Sequence, residues 1–369
     1  MKVVHDQIAD QAYAAVRIMG GGLLRAGARA ISRTRPPDAR SLDESIAGRL
    51  AIGGLNGAFG DGLHARRSAL ATPMTIRRAG RDVAVAPDAL ANAFADATPK
   101  LAVFVHGLCE TDGAWRFGAE RHPPYGEQLR TDHGFTPLYL RYNTGRHVSE
   151  NGRELATVLH ELVGSWPVEV QEIALIGHSM GGLVSRSACH YSDGHWWPST
   201  VRHVFTLGTP HTGAPLEQAA TVATAALGRL PETRGFARAL SGRSAGIQDL
   251  GRGYLVDEDW ADQDPEAFFK QAGSEIPFLA RANHYFVCAT VPADADAPAG
   301  RVVGDLLVLR PSAWGQRRRG ERLRFPVEHY HHVGGAHHFD LLGHPAIYAQ
   351  ISTWLARRPA PALGIHAGE

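Results

Sequence analysis

Ser179 lies between glycines in "ALIGHSMGGLV" (residues 174–184), a G-x-S-x-G pattern with an apolar run on either side. A serine hydroxyl is a weak nucleophile at neutral pH. It attacks a carbonyl carbon when a histidine accepts its proton and a carboxylate orients and stabilises the resulting imidazolium. Candidates for both partners follow along the chain. Asp305 has a glycine before it and an apolar stretch after it, as expected of a carboxylate fixed in a loop. His337 and His338 stand side by side after a glycine-rich loop. Spacing from the preceding apolar run does not separate the two, although His338 is nearer the following helix, whose Leu341 and Leu342 would fix its backbone. Consecutive side chains in an extended loop point apart, so one of the pair is aimed at the nucleophile. Charge developing on the carbonyl oxygen needs amide donors. The Met180 amide, at the start of a helix, is one candidate, and Leu108, after Gly107 in "VFVHGL", is the other.

These side chains need rigid elements to hold them. From Lys100 onward the apolar runs "LAVFVHG", "TPLYLRY", "EIALIGH", "HVFTLG" and "HYFVCATV" alternate with helix-like stretches such as "ENGRELATVLHELVGSW" and "MGGLVSRSACHYS". Continuous Val/Ile/Leu/Phe strands separated by amphipathic helices predict an α/β fold, a mostly parallel sheet covered on both faces. Ligands in such folds bind at the carboxyl ends of the strands, and each candidate above follows a strand-like run. Strand, glycine-flanked serine, helix is the context that a nucleophile on a strained turn requires.

The spacing predicts a catalytic unit over residues 99–357, a C-terminal tail over 358–369 and an N-terminal helical and hairpin extension over 1–98. Within the extension, Ile8, Ala12, Ala15, Val16 and Met19 have helical spacing, and "AIGGLNGAFGDGL" (51–63) is glycine-interrupted. "MTIRRAGRDVAV" (74–85) reads as a β-hairpin, and "PDALANAFADA" (87–97) as a short helix opened by Pro87 and Asp88. A long insertion over about 212–283 reads as a helical lid, because structureless loops of that length are rare in compact domains.

Other reactive side chains read as structural. His106 is a packed loop histidine, His211 shapes a pocket, and nothing near Cys109 would depress a thiol pKa. Asp294 and Asp296 sit in an exposed Pro/Ala-rich segment, and Asp257, Glu258, Asp259, Asp262 and Asp264 read as a solvated face without calcium-loop spacing. Six histidines crowd residues 329–344 without a compact zinc motif, so no metal is expected. The chemistry needs no cofactor. A chain of 369 residues with net charge +1 does not suggest a nucleic-acid partner. Three cysteines without C-x-x-C spacing fit a reducing compartment, here the cytoplasm. No stretch approaches the ~18 apolar residues of a membrane span, and the N-terminus lacks signal-peptide features. The basic run Arg25, Arg29, Arg33, Arg35, Arg40 leaves peripheral contact with a membrane surface open, and the oligomeric state is not legible.

Together "VFVHGL", "GHSMGGLV" and "LGTPHTGAPL" resemble serine esterases and lipases of the α/β-hydrolase superfamily, close to bacterial triacylglycerol lipases. They are also similar to the PGAP1-like deacylases that remove acyl chains from GPI-anchor inositol. The likeness spans roughly residues 100–357, and three motifs in this order are more specific than any one. It implies the α/β-hydrolase fold, whose triad has the order Ser…acid…His, here Ser179, Asp305 and His338. It also puts Leu108 and Met180 at the oxyanion hole and matches a histidine three residues before a Leu-Leu pair, which is His338. The implied activity is hydrolysis of lipid or small-molecule carboxylic esters through an acyl-enzyme. The apolar "TVATAALGRL" of the insertion favours a lipid-like acyl group. Acyl transfer to an alcohol other than water, or a non-catalytic lipid-binding or scaffold role on the same fold, are the alternatives.

Overall fold

The computed structural model describes residues 45–214, 244–261, 273–294, 303–316, 323 and 325–357. Among them the strands are β1 Thr75–Arg78, β2 Arg81–Val83, β3 Lys100–Val105, β4 Thr136–Arg141, β5 Glu172–His178, β6 Val201–Leu207, β7 Asn283–Thr290 and β8 Tyr330–Gly334. They form one sheet in the order β2-β1-β4-β3-β5-β6-β7-β8. From β3 to β8 neighbouring strands are parallel, and β1 is antiparallel to both β2 and β4. The helices are α1 Ile46–Ala65, α2 Pro87–Ala93, α3 Tyr125–His133, α4 Val148–Ser165, α5 Met180–His190, α6 Ala245–Arg252, α7 Arg310–Ala313 and α8 Pro345–Ala356. This is the α/β-hydrolase fold, and the expected strands and helices of the parallel region are all present.

The strand order explains where a site can form. From β3 the chain steps one way through α3 to β4, then back the other way through α4 to β5 and through α5 to β6. Right-handed crossovers running in opposite directions put α3 on one face and α4 and α5 on the other. The reversal leaves a crevice at the carboxyl ends of β3 and β5. Those strands are paired in register, Val105 opposite Gly177, so the loops carrying Gly107 and Ser179 leave the sheet side by side. Leu101, Val103, Phe104, Ile173, Leu175 and Ile176 are all essentially inaccessible to water. Each contributes about 1.5–3 kcal/mol by burial, so the strand ends are firmly held.

α4 buries Leu155, Leu159 and Leu162, spaced at one helical face. It meets α5 at Gly152, where a Cβ would run into Ser187. α5 is buried nearly all round, and its polar residues are satisfied inside: Ser185 Oγ donates to the Gly181 carbonyl at 2.8 Å and Ser187 Oγ to the Leu255 carbonyl at 2.7 Å. The expected hairpin forms about Ala79 (φ 49°) and Gly80 (φ 77°), a two-residue turn with positive φ at both positions. It does not stand apart. Ile76 pairs with Leu140 and Arg77 with Tyr139, so the sheet draws in chain from before residue 99. The buried Arg77 pairs with Asp82 and approaches Asp112 (3.6 Å), and Asp112 also accepts from Arg141 Nε at 2.7 Å. Asp112 thereby ties the hairpin and β4 to the loop after β3.

The glycine-interrupted stretch 51–63 is continuous helix within α1. Ser45 caps it, its hydroxyl accepting from the Gly48 amide at 2.9 Å. The glycines lower helix propensity, but close packing recovers the loss: Gly53 and Gly57 abut Cys109, and Gly60 abuts Asn143. Asn143 Nδ2 donates to the Gly60 carbonyl at 2.8 Å, and Ser244 Oγ to the Gly57 carbonyl at 2.6 Å. α1 therefore backs the loop after β3.

One reading of the acidic run needs correction. Asp259 is not solvated: it is buried, with Oδ2 accepting from the Leu255 and Val256 amides (2.8 and 3.1 Å) and Oδ1 from Ser274 (2.6 Å). A carboxylate that satisfies three amides stabilises a turn, which spacing alone did not reveal. The expected N-terminal helix, the Arg25–Arg40 run, "TVATAALGRL", Asp262, Asp264, Asp296 and the tail lie outside the described residues.

Adjacent glycines of α1 should respond oppositely to a methyl group. Gly53→Ala forces a Cβ into the Cys109 carbonyl, whereas Gly54 has nothing within 4 Å. Overpacking costs about 1–3 kcal/mol, while a helical Gly→Ala gains up to ~1 kcal/mol. Chemical denaturation should give a lower midpoint for Gly53→Ala and an equal or higher one for Gly54→Ala. Equal midpoints for the two variants would contradict the packing of α1 on the loop.

Candidate active site

Ser179 follows β5 and precedes α5 with φ 52° and ψ −122°. A non-glycine residue held at positive φ costs on the order of 1–3 kcal/mol, so the surroundings must enforce it. The Ser179 amide donates to the Leu207 carbonyl on β6 at 2.8 Å, and the Gly182 amide donates to the Ser179 carbonyl at 3.1 Å. A Cβ at Gly177 would collide with the backbone of Gly181 and Gly182, and one at Gly181 with the Val105 carbonyl. The two glycines of the motif thus let the turn close against β3. Met180 opens α5, so its amide lies at a helix N-terminus.

Asp305 lies in the loop that follows β7, and His338 in the loop that follows β8. His338 Nδ1 is 2.8 Å from Asp305 Oδ2, and both side chains are about 2% exposed. The carboxylate is locked from its other side, since Oδ1 accepts from the Leu307 and Val308 amides at 3.0 and 2.8 Å. The His338 amide in turn donates to the Asp305 carbonyl at 3.0 Å. Gly208 (φ 60°) leaves room for the imidazole, because a Cβ there would sit 3.0 Å from His338 Cε1. His337 faces elsewhere. Its amide donates to Asp340 Oδ2 at 2.8 Å, its ring Nδ1 is 3.4 Å from the same oxygen, and its side chain is partly exposed. The structure therefore brings His338, and not His337, to Asp305. Asp294 is exposed.

Leu108 is buried in the loop after β3. Among the described residues neither the Leu108 nor the Met180 amide is matched to a protein acceptor. Gly107 brings this loop against the serine, its Cβ position being 3.0 Å from Ser179 Cβ. The Cys109 amide donates to Thr144 Oγ1 at 3.2 Å. His106 is fully buried, stacked on Tyr142 with ring centroids 4.5 Å apart, and burial lowers its pKa. It is the packed histidine that the sequence suggests. His211 accepts from Arg186 at Nδ1 and contacts Thr206 Oγ1 through Nε2, each at 3.2 Å. Burial, then the Arg186 charge, pushes its pKa far below the usual value.

Sequence reasoning missed one buried pair. His178, immediately before the serine, has Nδ1 2.9 Å from Glu110 Oε1, and Glu110 Oε2 accepts from the Gly107 amide at 2.6 Å. The available signal was an acid three residues beyond Gly107, together with a histidine as the variable residue of the serine motif. Among the described residues no cluster of His, Cys, Asp or Glu is arranged to hold a metal ion, and no helix is long and apolar enough to cross a membrane.

Residues 101–261 match the family model described as the PGAP1-like alpha/beta domain. A triacylglycerol lipase of Burkholderia plantarii is 33% identical over 151 residues, a stretch that spans 40% of this chain and 39% of that protein. A mature lipase of Bacillus licheniformis superposes with a TM-score of 0.45 at 19% identity, covering 69% of this chain and 91% of that one. An esterase of Pyrococcus furiosus superposes with a TM-score of 0.41 at 14% identity, covering 71% and 83%. The matched stretch contains Leu108, Glu110, His178, Ser179 and Met180, while Asp305 and His338 come from chain beyond its end.

Cys109 lies two residues beyond Gly107 in the loop after β3, yet its thiol is buried and its pKa is pushed far upward, by burial first and by the Glu110 charge second. It should stay unalkylated by iodoacetamide at pH 8 in the native protein and react once guanidinium unfolds the chain. Peptide mass spectrometry reads both states. Native labelling as fast as unfolded labelling would mean that the loop after β3 is open.

Proposed function

We propose that this chain hydrolyses carboxylic esters through an acyl-enzyme, with Ser179 as nucleophile, His338 as general base and acid, and Asp305 as the orienting carboxylate. The observation that carries this reading is the buried Asp305–His338 pair, 2.8 Å apart, delivered to the same strand ends as the strained Ser179 turn. With Nδ1 committed to Asp305, His338 has Nε2 available to take the Ser179 proton as the hydroxyl attacks the ester carbonyl. The Leu108 and Met180 amides supply two donors for the oxyanion. His338 then protonates the leaving alcohol, and water activated by the same nitrogen releases the acid. Asp305, held by two amides, keeps the tautomer fixed and stabilises the imidazolium without taking the proton itself.

Lipid-like acyl esters are the proposed substrate class. Supporting it are the likeness of 151 residues to a triacylglycerol lipase and the apolar "TVATAALGRL" in the insertion. Substrate binding remote from the ester would then raise kcat as well as lower KM.

Hydrolysis of p-nitrophenyl esters of graded chain length, with fluorophosphonate labelling alongside, tests the roles. Ser179→Ala should remove labelling and lower kcat by about 10⁶. Asp305→Asn should cost about 10⁴ by losing the tautomer. His338→Ala should fall to the serine variant's level, whereas His337→Ala, which loses only the Asp340 contact, should retain turnover. A Ser179→Ala protein that kept a tenth of wild-type turnover would sink the mechanism, and His337→Ala behaving as the dead variant would move the base.

A further inference from the structure

With Glu110 ionised, as its lowered pKa requires, both ring nitrogens of His178 face oxygens that can only accept. Nδ1 lies 2.9 and 3.1 Å from the two carboxylate oxygens of Glu110, and Nε2 lies 3.2 Å from the His338 backbone carbonyl. A neutral imidazole has one N–H and would leave one of these contacts as lone pair against lone pair. Doubly protonated His178 satisfies both, with Glu110 as its countercharge. Burial works against charge on both groups, but each outweighs it for the other: His178 is held above its usual pKa and Glu110 below. The remaining titratable neighbours act in the same sense or are weaker. Asp305 favours the charged ring, His106 favours ionised Glu110, the His338 ring lies 4.7 Å away, and Trp115 and Phe339 are the aromatic neighbours.

The pair touches both halves of the site. Glu110 Oε2 accepts from the Gly107 amide at 2.6 Å, immediately before Leu108, and His178 donates to the carbonyl of His338 itself. We propose that the Glu110–His178 ion pair is a positioning clamp that sets the oxyanion loop and the His338 loop at a fixed separation around Ser179. This rests on the triad reading above, in which Leu108 and His338 serve the same transition state. Neither clamp residue contacts the ester. A buried ion pair is costly unless well satisfied, and this one spends its contacts on the two loops that must stay in step during the reaction.

Three measurements test it. Histidine-selective ¹⁵N NMR of the wild-type protein should show both His178 nitrogens protonated at pH 7, and a neutral His178 there would overturn the clamp whatever the variants do. Glu110→Gln keeps the shape but removes the charge. It should speed exchange of the Gly107 amide and, since small misplacements of reacting groups cost on the order of 10²-fold, lower kcat by about that factor. KM should stay within about twofold, because ground-state binding is untouched. Paired with His178→Gln, the double variant should lose no more than the worse single one. A folded Glu110→Gln protein with wild-type kcat and unchanged Gly107 exchange, while Ser179→Ala is inactive, would overturn the clamp and leave the hydrolase reading standing. Turnover that survives Ser179→Ala, or no ester turnover at all, would instead defeat the hydrolase reading, with NMR and amide exchange still deciding the clamp.

Discussion

The backbone of Ser179 is held at φ 52°, ψ −122°, a conformation that no residue with a side chain adopts unforced. Its enforcement runs through three strands at once. β5 delivers the residue, β6 accepts its amide through Leu207, and β3 comes so close that position 181 has no room for a Cβ. Such pressure requires strands that do not yield, and the near-total burial of the residues in β3 and β5 provides that rigidity. The placement of Ser179 at the end of β5 and that of the Met180 amide at the start of α5 are consequences of one strained turn.

The loop after β3 is the second element that must be rigid, and the fold supports it from outside the parallel region. α1 presses glycines against Cys109, Thr144 holds the Cys109 amide, and Asp112 anchors the loop's far end to Arg77 and Arg141. Chain that precedes the parallel strands therefore helps to build the site. This accounts for a helix that tolerates so many glycines: their intrinsic cost is offset by backbone approach that larger residues would forbid.

Charge near the serine is arranged in hydrogen-bonded carboxylate–imidazole pairs. Asp305 with His338, and Glu110 with His178, each match a buried carboxylate to an imidazole and spend the remaining oxygen contacts on backbone amides. In a low-dielectric setting an unpaired charge would be expelled or neutralised, whereas paired and fully bonded groups keep fixed positions. The two pairs meet at the His338 backbone, so the loops carrying Asp305, His338 and Gly107 form one connected polar network within an apolar shell.

Much of this was legible in the sequence, because the relevant signals are local. Buried parallel strands read as apolar runs, Ala79-Gly80 reads as a hairpin turn, and glycines around Ser179 read as a strained strand–helix junction, since each depends on residues within a few positions. The sheet edge, α1 and the site partners were decided by contacts between distant segments. That Thr75–Arg78 joins β4, that a glycine-broken stretch is a continuous helix, and that Asp259 is buried all follow from surfaces brought together only on folding. The same holds for His337 and His338, which are indistinguishable by spacing. Gly208 and Asp305, remote in sequence, leave a space that fits one imidazole, and the extended backbone at that point turns the neighbouring ring the other way toward Asp340. Glu110 and His178 were invisible for a related reason: 68 residues separate them, and only the parallel pairing of β3 with β5 brings them together.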